Sequence, residues 1–357
     1  MSGGPVPAPW RRRWPAWAPR AAALWAGVYA AVQLGWAVTG TTVPLTGHSV
    51  YPPALLAVLA ALALAGGGAC LATTRPLGEW ARRVVGVVLV VVIAMLVWGT
   101  TGLPVYFVTV TTGGGIESAT GLAQVLLDTA GAALLVMARM AHRRRLRGVC
   151  TRCGQAHGGR EDGPLAHPAP ARAPRRVRWT ACLFMGGLLP WAGCKTIWTL
   201  SGNAIGVAGR DWQAVVESRA SGPAKALAEV GVDVTVFAAG FGIFLLLGLL
   251  YVWGQVFPRW TLFLAGRRVP RLLPLVPAWL TGVPLMMYGY ALIVLAPLVG
   301  LGRFGGFKPS PPFTTASGLG WMAEFGGLAF AGLGTGLVVA ARSYAARTKP
   351  VCAVVAA

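Results

Sequence analysis

Residues 84–103 read Val84-Val85-Gly86-Val87-Val88-Leu89-Val90-Val91-Val92-Ile93-Ala94-Met95-Leu96-Val97-Trp98-Gly99-Thr100-Thr101-Gly102-Leu103. This stretch decides the fold class. It is apolar on every face, so it shows neither the stripe of a surface helix nor the alternation of a barrel strand. Twenty such residues rise about 30 Å as a helix, the thickness of a bilayer's hydrocarbon core. With no water in that layer, a spanning segment satisfies its own backbone as a helix or closes into a barrel. The absence of alternation selects the helix.

The same composition runs through the chain. Of 357 residues, 55% are hydrophobic and 11% charged, and the mean hydropathy is +0.63. Soluble domains carry roughly 25% charged residues, so an ordinary cytosolic enzyme is excluded. The abundance of apolar residues, and 49 glycines without a three-residue period, exclude a disordered or collagen-like chain. Eight stretches are predicted to span: 21–40, 53–73, 84–103, 121–141, 179–199, 234–256, 272–300 and 318–341. The expected fold class is an all-α polytopic membrane bundle of eight transmembrane helices, arranged as two tandem four-helix repeats. Arg11, Arg12 and Arg13 precede the first stretch, whose length fits an uncleaved signal anchor better than a cleaved signal peptide.

The formal charge is +21, which in a soluble protein would point to nucleic acid. Here the basic residues fall in short runs between apolar stretches, where the positive-inside rule places them. With both ends in the cytoplasm, 25 of the 31 Lys and Arg residues lie in inner segments and five in outer loops. The expected arrangement is therefore N-in/C-in in a bacterial plasma membrane, with the lipid bilayer and no nucleic acid as partner. Trp14, Trp17, Trp80, Trp179 and Trp260 fall near the inner boundaries and Trp36, Trp98, Trp198 and Trp321 near the outer ones. An amphipathic indole favours that interface.

The expected segments are a basic N-terminus at 1–20, a first four-span unit at 21–141, a basic Pro/Gly-rich linker at 142–178, a second four-span unit at 179–341 and a tail at 342–357. Weak echoes suggest duplication. Ala81-Arg82-Arg83-Val84 parallels Gly266-Arg267-Arg268-Val269, and Trp25-Ala26-Gly27 parallels Trp191-Ala192-Gly193. Arginine at a span boundary also follows from the positive-inside rule alone. The segment from Pro190 to Gly202 carries Lys195-x-x-Trp198-x-Leu200-x-Gly202. It resembles a K-x-x-W-x-L-x-G pattern in uncharacterised multi-pass membrane proteins of actinobacteria, some built from tandem four-span units. The linker sequence Cys150-Thr151-Arg152-Cys153-Gly154 resembles their mid-chain linker. Tyr29 stands where the pattern would repeat Lys195 in the first half. The resemblance implies a fold type and a membrane location; it implies no activity.

Three charged residues lie inside predicted spans: Asp128, Lys195 and Glu324. Intramembrane charge is costly and normally faces the bundle interior. At 1.5 Å per residue, Asp128 and Glu324 lie about 10 Å below the outer ends and Lys195 about 6–8 Å. One reading is an outward-facing polar pocket that takes an ion, proton or small substrate. The other is a structural ion pair, or carboxylates held by Thr and Trp donors. In the linker, Cys150, Cys153 and His157 offer three zinc ligands, with His142 or His167 as a fourth. A single C-x-x-C is half of a zinc ribbon, so a thiol redox role and an inert linker stay open beside zinc. Cys70, Cys182, Cys194 and Cys352 supply no pair in an outer loop.

The four histidines lie outside the predicted spans, which disfavours haem. No Walker A, H-E-x-x-H or G-x-S-x-G motif is present. Gly332-x-x-x-Gly336 permits close helix approach, Gly66-Gly67-Gly68 is a candidate bend, and four prolines from Pro274 to Pro297 predict a kinked seventh span. Residues 211–220 are predicted as a short surface helix with Asp211 at its N-cap. Two functions remain: a carrier or permease-like bundle around the polar pocket, and a non-catalytic scaffold that docks a cytoplasmic protein through its basic linker. An enzyme is the weaker expectation, for want of a nucleophile, metal triad or cofactor motif.

Overall fold

The computed structural model describes residues 14–46, 49–111, 116, 118–150, 153–156, 164–219, 225 and 234–353. Among them the long elements are all helical, and the strands form three short two-stranded pairs. Among the described residues, six helices are long and apolar enough to cross a membrane: Trp14–Thr39, Pro53–Ala72, Glu79–Phe107, Ala119–Leu146, Leu272–Gly300 and Ala316–Arg347. The protein is a multi-pass membrane-embedded helical bundle.

This corrects the expected eight spans and the tandem four-plus-four repeat. Four of the six helices belong to the first half of the chain and two to the second, so the halves are not built alike. The predicted span 179–199 is two helices, Arg175–Met185 and Leu188–Thr199. Gly186 and Gly187 separate them, and the backbone there tightens to three-residue bonds, from Gly187 N to Phe184 O and from Leu189 N to Gly186 O. Glycine is a poor helix former, and Pro190 falls in the first turn of the second helix, where its missing N–H is no loss. The predicted span 234–256 is helical over Val234–Leu250 only. At Tyr251 the chain is extended, and a short 3₁₀ turn follows over Val252–Gly254.

The chain folds as two compact units. The first comprises Met1–Thr100, Ser118–His167 and Pro350–Ala357, and the second Thr101–Glu117 and Pro168–Lys349. In the first unit, α1 (Trp14–Thr39), α2 (Pro53–Ala72), α3 (Glu79–Gly99) and α5 (Ala119–Leu146) pack side by side. The membrane-length stretch Glu79–Phe107 comprises α3, a 3₁₀ turn at Thr100–Gly102 and the start of α4 (Leu103–Thr111), which belongs to the second unit. Strands β1 (Pro44–Thr46) and β2 (Ser49–Val50) form a hairpin between α1 and α2. At one end of this bundle the Arg144 guanidinium lies 5.3 Å from the centre of the Trp14 ring. At the other, the Thr120 hydroxyl donates to Thr42 O at 2.8 Å. Ser118 caps α5, its oxygen accepting from Gly121 N at 3.1 Å.

Lipid supplies no hydrophobic drive between helices, so small residues that admit close packing matter more than apolarity. The buried face of the first unit accordingly carries Ala22, Ala26, Ala63, Ala132 and Ala138 beside Leu89, Val92 and Leu135. Leu24, Val58, Val87 and Val91 are exposed, as lipid-facing residues should be. The Gly66–Gly68 run does not break α2. A Cβ at Gly67 would lie 2.6 Å from Ala26 Cβ, so that glycine serves α1–α2 packing.

In the second unit, α10 (Leu272–Gly300) and α11 (Ala316–Arg347) form the main pair. Helices α6 (Arg175–Met185), α7 (Leu188–Thr199) and α9 (Val234–Leu250) pack against α11. A Cβ at Gly289 would stand 2.1 Å from Ala331 N, and one at Gly334 would stand 2.3 Å from Met286 N. The two backbones therefore touch where these glycines lie. Gly332 and Gly336 face α6 instead, toward Phe184 O and Ala181 O. Helix α10 is continuous through Pro277, Pro284 and Pro297. Helix α8 (Gly209–Arg219) follows a hairpin of β4 (Asn203–Ala204) and β5 (Val207–Ala208). It begins two residues before the predicted cap, which places Asp211 in its first turn.

Candidate functional site

Asp128 is buried inside the first unit, with 3% of its surface exposed. It lies nine residues into α5, about 14 Å from the Ala119 end. The Tyr29 hydroxyl donates to Asp128 Oδ1 at 2.9 Å, and Gln124 Nε2 donates to Asp128 Oδ2 at 3.0 Å. Gln124 Nε2 also reaches the Tyr29 oxygen at 3.0 Å, and Gln33 Nε2 donates to Gln124 Oε1 at 2.6 Å. These side chains form one buried polar chain from Gln33 to Asp128. Spacing by four residues sets it up: Tyr29 and Gln33 share a face of α1, and Gln124 and Asp128 share a face of α5.

The surroundings fit the chain closely. A Cβ at Gly99 would fall 2.1 Å from Asp128 Oδ2, so α3 reaches the carboxylate because its last residue has no side chain. Gly131 likewise admits the Trp25 ring, which lies 4.9 Å from the Tyr29 ring centre. Tyr51, just before α2, has its phenol pushed up to about 12 by burial and then by the charge of Asp128. Two polar atoms of this region, Trp25 Nε1 and Gln33 Oε1, are buried without a hydrogen-bond partner among the described residues. Among the described residues Asp128 has neutral donors and no ion-pair partner.

Lys195 and Glu324 belong to the second unit. Lys195 is 7% exposed, and its Nζ lies 3.9 Å from the Trp212 ring centre and 5.3 Å from that of Trp191. Trp191 sits one turn earlier on α7, and Trp212 arrives on α8. Trp212 stacks on Trp198 at 4.4 Å, and Phe313 meets both rings edge-on at 6.5 Å. The Trp198 Nε1 donates to Ala204 O and Val207 O, tying the aromatic block to the β4–β5 hairpin. Glu324 lies on α11, about 12 Å from Ala316, and its Oε1 is buried without a hydrogen-bond partner among the described residues.

In the linker, Cys150 and Cys153 meet a cysteine that sequence spacing did not reveal. The Sγ atoms of Cys150, Cys153 and Cys352 lie within 4.8 Å of one another. Such a group of three thiols is capable of coordinating a metal such as zinc. Cys153 and Cys352 are fully buried. The Cys352 thiol is pushed up to about 11 by burial and by its neighbours Cys153 and Cys150. His157 lies outside the described residues. His142 approaches the Thr73 backbone and His167 is exposed; neither joins the thiol group.

The sequence reading picked out Asp128, Lys195, Cys150 and Cys153 but missed Tyr29, Gln33, Gln124, Trp212 and Cys352. The glutamines carried a usable signal, because polar residues four apart in an apolar helix mark one interior face. No local signal connects Cys352 to the linker. The chain matches no protein-family model, no curated protein and no solved structure.

Proposed function

We propose that the protein is a carrier- or permease-like integral membrane protein of a bacterial plasma membrane, with its solute or ion site at the Asp128 chain. The basic ends of its helices face the cytoplasm in this reading, and Lys195 and Glu324 are polar positions of the second unit. The carrying observation is a buried carboxylate held by Tyr29 and Gln124 at 2.9 and 3.0 Å, with no ion-pair partner among the described residues, within membrane-length helices. Burying such a group costs several kcal/mol, about 2.5–3.5 kcal/mol by insertion measurements. Intramembrane carboxylates of this kind mark ion and substrate pathways. Trp25 Nε1 and Gln33 Oε1, without partners among the described residues, add one donor and one acceptor near the same chain. A small polar solute or a cation able to use both an acceptor and the carboxylate suits that set.

The second reading, a scaffold that docks a cytoplasmic protein through residues 142–178, draws on the thiol cluster, which gives that linker local structure. The two readings demand different residues. Purified protein screened against a panel of small polar solutes and cations tests them by ligand-dependent thermal stabilisation. A ligand at 100 times its Kd stabilises by about 2.7 kcal/mol. The carrier reading expects a stabilising ligand whose effect disappears in Asp128→Asn and survives replacement of residues 154–163 by a Gly/Ser segment. A shift of the same size in Asp128→Asn contradicts it.

A further inference from the structure

We propose that Cys150, Cys153 and Cys352 form a zinc site that fastens the C-terminal strand to the central linker. The geometry is built from both sides. Cys150 and Cys153 sit on a tight knuckle, in which Gly154 N donates to Cys150 O at 2.8 Å and Cys150 N donates to Gln155 O at 2.9 Å. Gly154 takes a φ of +67°, the left-handed conformation that glycine adopts without strain. The turn aims the Gln155 N–H at Cys153 Sγ, 3.4 Å away. A backbone donor on sulfur stabilises a metal-bound thiolate, as outer hydrogen bonds do at metal sites generally.

The third sulfur is delivered by pairing. Strand β3 (Leu165–Ala166) runs antiparallel to β6 (Val351–Cys352), with Leu165 opposite Cys352. Ala353 N then donates to Pro164 O at 2.9 Å. Two short strands of this length are marginal alone, so a bond at Cys352 would supply what the pairing lacks. Tetrahedral zinc at Zn–S distances near 2.3 Å spaces its sulfurs by about 3.8 Å. The three sulfurs lie within 4.8 Å of one another, so a contraction of about 1 Å closes the site around the ion. Each cysteine releases its proton to solvent on binding and no redox change occurs. Three thiolates fill three corners of the tetrahedron, and the set is soft enough to select zinc over magnesium or calcium.

Metal analysis of the full-length protein in detergent, after dialysis against trace zinc, tests this. The expected result is one zinc per chain. Cobalt in place of zinc gives thiolate-to-metal absorption and an intense tetrahedral visible band. Cys352→Ser and Cys150→Ser each weaken metal binding by more than about 100-fold, beyond the 10–100-fold typical of outer-shell changes. Cys182→Ser, which alters an exposed cysteine of α6, leaves it unchanged. Maleimide mapping of the wild-type protein keeps the result independent of variant folding. Zinc protects Cys150, Cys153 and Cys352 together, and a chelator releases all three. Absence of stoichiometric metal, equal binding by Cys352→Ser, or alkylation of Cys352 in zinc-saturated protein overturns the proposal.

Discussion

At the scale of single residues, the buried charges are settled by neighbours of different chemistry. Asp128 is held by neutral donors, whereas Lys195 is held against aromatic faces. Removing the Tyr29 hydroxyl leaves Asp128 Oδ1 short of a donor, which costs about 1–3 kcal/mol for a buried group. Tyr29→Phe should therefore lower thermal stability in detergent, and Asp128→Asn in the same background should recover part of the loss. For Lys195, a double-mutant cycle of Lys195→Met and Trp212→Leu should return a coupling of about 0.5–2 kcal/mol, the range for cation–π contacts. Strict additivity would show that the ring does not hold the ammonium. The charges were legible in the sequence because an ionisable residue in an apolar run is conspicuous. Their partners were less so. Trp191 is one turn from Lys195 and readable, but Trp212 reaches it only through the β4–β5 hairpin.

At the scale of elements, helix boundaries depend on local backbone breaks that hydropathy does not count. The stretches 84–103, 272–300 and 318–341 were readable because apolar length and helical length coincide there. The stretch 179–199 is less apolar and divides at Gly186 and Gly187, leaving two helices each too short to cross alone. Hydropathy summed over a window counts transfer free energy and does not register a break between two helices. The α10–α11 pair depends on the opposite use of glycine, as contact surface rather than breakpoint. Gly289→Leu or Gly334→Leu forces apart backbones that now touch, and overpacking of this kind costs about 1–3 kcal/mol or more. Both variants should unfold at lower temperature. Gly300→Leu, where a Cβ meets nothing within 4 Å, should not.

At the scale of the whole molecule, the arrangement of charge and the pairing of distant segments point the same way. Trp14 and Arg144 meet at one end of the first unit, so the start of α1 and the end of α5 share a side. The β3–β6 pairing holds Val351 and Cys352 against residues 165–166 of the linker, so that part of the tail shares the linker's side as well. That both ends of the chain lie on the basic side is a proposal, and it does not need the eight-span count from which it was first reasoned. The tandem repeat does not survive, because four of the six membrane-length helices among the described residues lie in the first half of the chain and two in the second; the matches that suggested it are short, and the membrane imposes arginine on any span boundary. The most direct test of a multi-pass bundle oriented by its arginines is cysteine-accessibility mapping in intact cells. Single cysteines are placed at Thr41, Arg75, Gly148 and Arg303 in a background lacking the native cysteines outside the thiol cluster. The account predicts labelling by an impermeant maleimide at positions 41 and 303, with positions 75 and 148 labelled only after the membrane is opened. Labelling of position 75 or 148 from outside, or of all four alike, would contradict it.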